Sequence, residues 1–255
     1  MSASHDPLPP GYLNVSVGSR RAVVRAREAA DVRDLLAGAT LHDWASHVQG
    51  AREYVGREFA YGVALPTSGT HVVVRHARHG GLLAPLTGDL FIGAGRAPYE
   101  LAAATRLAAA GVPTPPFVAY AVYPVTLGIA RVDVLVEEIA DARDLARVVA
   151  EQRALGDELL EAVAILLASL ARAGARHEDL NLKNVLVTAD AQATTAWAID
   201  VDRVTFGHPR VRAMEANLAR FVRSARKWRR GRALPIEEDR LGALARRARE
   251  LGARR

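Results

Sequence analysis

Three polar residues, His177, Asp179 and Asn184, stand at fixed offsets just ahead of an apolar run, Val185-Leu186-Val187. A polar turn and a second apolar run, Ala196 to Ile199, follow. That run ends on Asp200, with Asp202 and Arg203 behind it. Short apolar runs bounded by turn residues read as buried strands. Paired as a hairpin, they bring Asn184 and Asp200 to the same end. A carboxylate and an amide oxygen then converge as a hard-oxygen site of the kind Mg2+ uses together with substrate phosphates. Asp179, on the loop leading in, is placed to orient a hydroxyl nucleophile.

This is the phosphoryl-transfer arrangement of a kinase. The pattern H-x-D-L-x-x-x-N is met by His177, Asp179, Leu180 and Asn184, and the downstream metal-binding Asp by Asp200. Val201-Asp202 replaces the Phe-Gly that follows this Asp in protein kinases. A lone H-x-D carries little weight, but the full pattern, a strand and a strand-terminal Asp are specific together.

Such a site needs a strand with a phosphate-binding cation and a helix with a carboxylate to hold it. The chain has only two lysines, Lys183 and Lys227, and neither is on a strand of the N-terminal half. Arg75, directly after Val72-Val73-Val74, is expected in the place of the strand lysine, bidentate on phosphate, the alternative being a solvated edge-strand arginine. Glu100, in the first turn of a helix over Pro98 to Ala110, is the expected ion-pair partner or else an acid favoured there by the helix dipole alone. Gly56, with Gly62, marks the hairpin over the phosphates, although no full G-x-G-x-x-G is present. Glu137-Glu138-Ile139 ends a strand over Arg131 to Glu137 and reads as a hinge whose backbone meets adenine.

The remaining elements follow from period and punctuation. Leu13 to Val17 and Ala22 to Val24 are short strands around Gly18-Ser19, and Asp31 to Leu36 is a short helix with Asp31 near its N-cap. Tyr54-Val55, Phe59 to Leu65, His71 to Ala77 and Val118 to Val125 are strands. Asp141 to Val149 and the strongly apolar Asp157 to Ala173 are helices, the second delivering the chain to His177. Val211 to Arg230 and Glu237 to Leu251 are basic helices. The expected fold is α+β, a bilobal protein-kinase-like fold with a β-rich N-lobe and a helical C-lobe. Residues 1–49 form an N-terminal extension, 50–138 the N-lobe and 139–255 the C-lobe.

Composition bounds the setting. The chain has 255 residues, half of them hydrophobic, enough for a sizeable core. It has no cysteine, which excludes disulfides and suits a reducing compartment. The N-terminal stretch lacks the apolar region of a secretory signal, and no run approaches the ~20 apolar residues of a membrane span. Net charge is +6, and it is uneven: Arg210 to Arg255 hold 15 Lys/Arg against 5 Asp/Glu. That surplus points to an anionic partner.

The chain resembles the lipopolysaccharide kinase (Kdo/heptose kinase) family over roughly Gly56 to Arg230. The resemblance rests on Val74-Arg75-His76 through Gly80-Gly81-Leu82, Tyr99-Glu100-Leu101 and Gly111-Val112-Pro113-Thr114-Pro115. It continues through Ala142-Arg143-Asp144-Leu145-Ala146, His177 through Leu186, Ile199-Asp200-Val201-Asp202-Arg203, and Asn217-Leu218-Ala219-Arg220 through Ser224 and Lys227. It implies ATP-dependent phosphorylation of a sugar hydroxyl on 3-deoxy-D-manno-octulosonic acid (Kdo), attached to a lipid A precursor or related lipopolysaccharide core. It also implies a cytoplasmic protein, peripheral to the inner membrane and its anionic surface; nucleic acid is not expected as a partner. Asp179 would be the base or orienter, His177 a support of the loop, Asn184 and Asp200 the Mg2+ ligands, and Arg75 a phosphate holder.

Glu178, Lys183, Ala77 and Val201 depart from the family's habit. Lys183 lies two positions later than a protein kinase's catalytic-loop lysine, so a phosphate contact and a solvated position are both open to it. A heptose kinase, an aminoglycoside-type phosphotransferase, a protein kinase and a non-catalytic basic adaptor are the competing readings. The basic C-terminal region favours an anionic acceptor over a cationic drug. Only Thr205 to Pro209 stands where a protein kinase needs its activation segment. Asp179, Asn184 and Asp200 together have no use on a dead scaffold.

Overall fold

The computed structural model describes residues 8–55, 59–77, 91–92, 94–126, 129–190 and 192–254. They fall into two compact units, one from 1–102 and 116–138, the other from 103–115 and 139–255. Among the described residues no helix is long and apolar enough to cross a membrane.

The first unit is built on an antiparallel sheet. Its strands are β1 (Tyr12–Val17), β2 (Arg20–Arg25), β3 (Arg52–Val55), β4 (Phe59–Ala64), β5 (His71–His76), β6 (Phe91–Ile92), β7 (Phe117–Thr126) and β8 (Ile129–Glu137). Their order is β1-β2-β7-β8-β5-β4-β3, with β6 paired to β8. The β3-β4-β5-β8-β7 part is antiparallel throughout. The β1–β2 hairpin extends it past β7, with Val23 opposite Tyr120.

Two helices, α1 (Ala29–Gly38) and α2 (Leu41–His47), share a core with the sheet. Leu36 and Leu41 are fully buried there among Val24, Val63, Val74 and Leu135, each burial stabilising by about 1.5–3 kcal/mol. Thr40 caps α2 by accepting from the Asp43 N–H at 3.1 Å.

Asp31 does not cap α1, which starts two residues earlier. Its buried carboxylate accepts instead from the backbone N–H groups of Thr67 (2.6 Å) and Ser68 (3.0 Å) and so closes the β4–β5 turn. Burial raises its pKa, but these bonds prevail and hold it below the usual carboxylate range. A tertiary contact has taken the side chain that local rules assign to a cap. Helix α3 (Ala97–Ala109) begins in this unit.

The second unit is helical around a small sheet. Its elements are β9 (Arg143–Asp144), α4 (Leu145–Gln152), α5 (Asp157–Arg172), β10 (Arg176–His177), β11 (Val185–Ala189), β12 (Thr194–Ala198), β13 (Val204–Thr205), α6 (Arg210–Arg232) and α7 (Glu238–Ala253). The expected helix from Asp141 starts later. Asp141 has φ 56°, Arg143 and Asp144 pair with β11, and Asp144 caps α4 by accepting from the Arg147 N–H at 2.9 Å.

Helix α5 is buried on most of its circumference and packs against α6, α7 and β12. Two residues past its end stands Gly174, whose φ of +61° is left-handed and whose missing Cβ would lie 2.9 Å from the His208 carbonyl oxygen. Only glycine fits such a close backbone approach. The turn there sends the chain straight into β10 and His177.

Candidate active site

The loop from His177 to Asn184 is held from three sides. Buried His177 has both ring nitrogens engaged: Nδ1 accepts from the Asp179 N–H at 3.2 Å, and Nε2 donates to the Ile199 carbonyl oxygen at 2.9 Å. Those partners fix the neutral tautomer with its proton on Nε2. Burial lowers the imidazole pKa, outweighing the Ile199 bond and the carboxylates of Asp200 and Asp179. His177 therefore spans from the start of the loop to the residue before Asp200, and no ring nitrogen is left over for proton transfer.

From below, α6 supplies two polar side chains. The Asn217 amide is fully buried; its Oδ1 accepts from the His177 N–H (3.0 Å) and its Nδ2 donates to the Ala175 carbonyl (3.0 Å). Ser224 Oγ accepts from the Leu182 N–H at 3.3 Å. Asn217 and Ser224 are seven residues apart, two turns, so both meet the loop from one helix face. Within the loop, Asn181 Oδ1 accepts from the N–H groups of Lys183 (2.8 Å) and Asn184 (3.2 Å).

The hairpin completes the site. Val185 pairs with Ala198, and the Ile199 N–H donates to the Asn184 carbonyl at 3.1 Å. Asn184 and Asp200 thus stand at one end of the β11–β12 pair. The end is pinned by the 111–116 turn: the Ala198 N–H donates to the Pro113 carbonyl (2.9 Å), and buried Thr114 Oγ1 donates to the Ala198 carbonyl (2.9 Å). Asn184 Nδ2 donates to the Asp179 carbonyl at 2.9 Å and approaches its carboxylate at 3.4 Å. With its amino end so used, the amide has its oxygen to offer a cation. Asp200 is exposed and sits at φ 57°, ψ 48°, a left-handed conformation that Asp tolerates and that costs about 1–2 kcal/mol.

The donor set fits Mg2+. One carboxylate and one amide oxygen are what this ion takes from a protein when phosphates and waters fill the other positions. Among the described residues no three His, Cys, Asp or Glu gather as a metal cluster.

In the first unit Arg75 and Glu100 meet: Nη2 lies 2.5 Å from Oε1, with Glu100 nearly buried. Next to it, His76 Nδ1 lies 2.5 Å from buried Asp133, whose other oxygen accepts from the His42 N–H at 3.0 Å.

The remaining candidates are placed as follows. The Glu137 N–H donates to the Pro116 carbonyl (2.8 Å) and the Glu138 N–H to that of His71 (3.0 Å), so neither is a free donor for a base. The Glu137 carboxylate meets Arg25 at 2.6 Å and also pairs with Arg27. Lys183 is exposed and paired with Asp144 (3.0 Å), its Nζ 5.8 Å from the Trp228 ring centre. Gly56 lies outside the described residues. A Cβ at Gly62 would lie 3.0 Å from the Glu138 carboxylate and 3.1 Å from the Tyr54 ring, so the glycine is closely packed.

Sequence reasoning had missed the positioning roles of Asn217, Ser224, Asn181, Thr114 and Asp144. The available signal was polar residues on α6 at two-turn spacing on a face otherwise apolar.

Comparison with known proteins gives a consistent family. Residues 42–238 match the family model described as "Lipopolysaccharide kinase (Kdo/WaaP) family". A 3-deoxy-D-manno-octulosonic acid kinase of Vibrio vulnificus (strain YJ016) is 32% identical over 208 residues, covering 79% of this chain and 84% of that protein. One from Photobacterium damsela subsp. piscicida is 32% identical over 174 residues, 66% and 70% of the two chains. Among solved structures, "WaaP in complex with acyl carrier protein" aligns over 86% of this chain and 96% of that chain, at 21% identity and a TM-score of 0.48.

Proposed function

The chain belongs to the lipopolysaccharide kinase (Kdo/WaaP) family, and on that premise we propose that it transfers the γ-phosphate of ATP to a hydroxyl of Kdo in the lipopolysaccharide inner core. The acceptor is a Kdo–lipid A precursor, met at the cytoplasmic face of the inner membrane. The observation that carries this reading is the His177 clamp, which ties the Asp179 backbone to the end of the strand that precedes Asp200.

In this reading Asp179 accepts the proton of the sugar hydroxyl or orients it, while the neutral His177 positions the loop. Asn184 and Asp200 hold Mg2+, which supplies charge neutralisation of the triphosphate. Arg75, held by Glu100, takes the nucleotide phosphates, with Gly56 as a further nucleotide contact. Lys183 is a loop brace through Asp144; a phosphate contact from it requires that pair to open. The adenine contact expected near Glu137 falls to atoms other than the Glu137 and Glu138 N–H groups. Residues 50–138 serve the nucleotide, 139–255 the chemistry and the acceptor, and 1–49 the stability of the N-terminal sheet.

The test offers radiolabelled Mg-ATP with Kdo–lipid A precursor, heptose-bearing core, an aminoglycoside and a generic protein. Label on the Kdo lipid alone is the expected result. Label on heptose-bearing core alone keeps the family and changes the acceptor; label on none, with ATP bound, removes the sugar-kinase reading.

A further inference from the structure

The basic surplus of the C-terminal region is not spread evenly over its surface. On α6, at 100° per residue, Arg212, Ala216, Arg220, Arg223, Lys227 and Arg230 fall within an arc of about 80°. Five of these six are cations, and none of the six is acidic. The arc is turned away from buried Met214, Leu218, Phe221 and Ala225, and buried Ala213 and Asn217 border it on the Arg220 side. Arg212, Arg223, Lys227 and Arg230 are exposed and Arg220 is half-buried. The row rises from 212 to 230, about 27 Å along one rigid helix.

Five other cations nearby are neutralised. Arg226 and Arg229 pair with Glu238, Arg240 with Asp157, Arg247 with Glu161 and Arg249 with Glu215. The five in the row make no ion pair among the described residues. The acids of the region thus cancel charge beside the row and leave the row itself uncompensated.

We propose that this row docks the protein onto an anionic lipid surface. A straight array about 27 Å long is too extended for one compact ligand and matches a flat, laterally continuous field of headgroup charge. Long Arg and Lys side chains suit that contact, because their stems bend while their heads reach phosphate. Single-stranded nucleic acid fits less well, since its binders interleave aromatic platforms with cations and the arc contains none. The inference rests on the proposed function only in supposing that the acceptor is lipid-borne.

The experiment is co-sedimentation of the full chain with vesicles of phosphatidylglycerol and phosphatidylcholine against phosphatidylcholine alone, without ATP or acceptor. Binding to the anionic vesicles that weakens with added salt is expected. Arg223→Glu/Arg230→Glu should lower that affinity at least about 25-fold, about fivefold for each cation lost. Arg21→Glu/Arg33→Glu, the same charge change in the first unit, should stay within about threefold of the unchanged chain if the row, not net charge, binds. Equal loss in both variants, no binding by the unchanged chain, or tighter binding to single-stranded RNA than to vesicles would overturn the proposal. Unchanged melting temperatures establish that the variants fold. Phosphotransfer is not read, so vesicle binding by a chain that phosphorylates no Kdo lipid would overturn the Kdo acceptor and leave this proposal standing.

Discussion

The first unit neutralises two of its buried carboxylates, Glu28 and Glu100, with arginine, whereas the second holds Asp179 and Asp200 with neutral groups. Glu28, fully buried, accepts from Arg25 at 2.6 Å and Arg27 at 2.5 Å, and Glu100 accepts from Arg75. Burial alone would raise the Glu28 pKa; the arginines and Thr70 bring it below the usual carboxylate range. Asp179 and Asp200 form no ion pair among the described residues. Asn181, Asn184 and the His177 clamp place them instead. A carboxylate neutralised at home is committed to the fold. One positioned by amides and a neutral imidazole keeps its charge for a hydroxyl proton or a cation that arrives with substrate.

Substitutions in the two units should therefore fail in different ways. The largest effect expected is on Asp179→Ala, with kcat lowered about 10²–10⁴-fold and little change in melting temperature, read by label transfer and thermal denaturation. A large loss of stability there would erase the contrast. Glu28→Gln should do the reverse: about 2–3 kcal/mol of stability lost, less than a fully buried pair because Arg25 is partly exposed, with kcat kept. Denaturant midpoints beside turnover rates check this. Asp200→Asn should weaken Mg-ATP binding at least tenfold, about 1.4 kcal/mol, by calorimetric titration, with folding unchanged.

The smallest effect concerns pH. His177 is kept neutral by burial, so its folded pKa lies below that of the unfolded chain, about 6.5. Its contribution is complete above that pH and is lost as pH falls below it, because the unfolded chain then binds the proton that the folded chain refuses. The slope is at most about 1.4 kcal/mol per pH unit. His177→Gln should flatten the difference in urea midpoint between pH 7.5 and pH 5.5; an unchanged difference would assign the dependence to other groups.

Much of this was legible in the chain itself. The H-x-D-L-x-x-x-N pattern and the two apolar runs specify the loop and hairpin because turn chemistry and strand period are local signals. The Arg75–Glu100 pair was readable from the shortage of lysine and a glutamate in a first helical turn. What stayed hidden depends on distant partners. Asp31 leaves its own helix for Thr67 and Ser68, Asp144 caps α4 rather than Asp141 opening a longer helix, and Asn217 reaches the His177 backbone forty positions away. No periodicity encodes such contacts. Helix α2, only seven residues long, and the two-residue strands β10 and β13 are too short to leave a pattern.

The pairing of β2 with β7 sets an order of events during synthesis. Arg21 to Val24 lie opposite Ala119 to Val122, roughly 100 residues later in the chain. At a ribosomal pace of about 5–20 residues per second, the β1–β2 hairpin leaves the ribosome some 5–20 s before the strand that completes its sheet. Through that interval the hydrogen-bonding edge of β2 stands open to any other extended chain. Slowed translation between residues 25 and 117 should therefore raise the fraction that aggregates, while slowing after residue 138 should not.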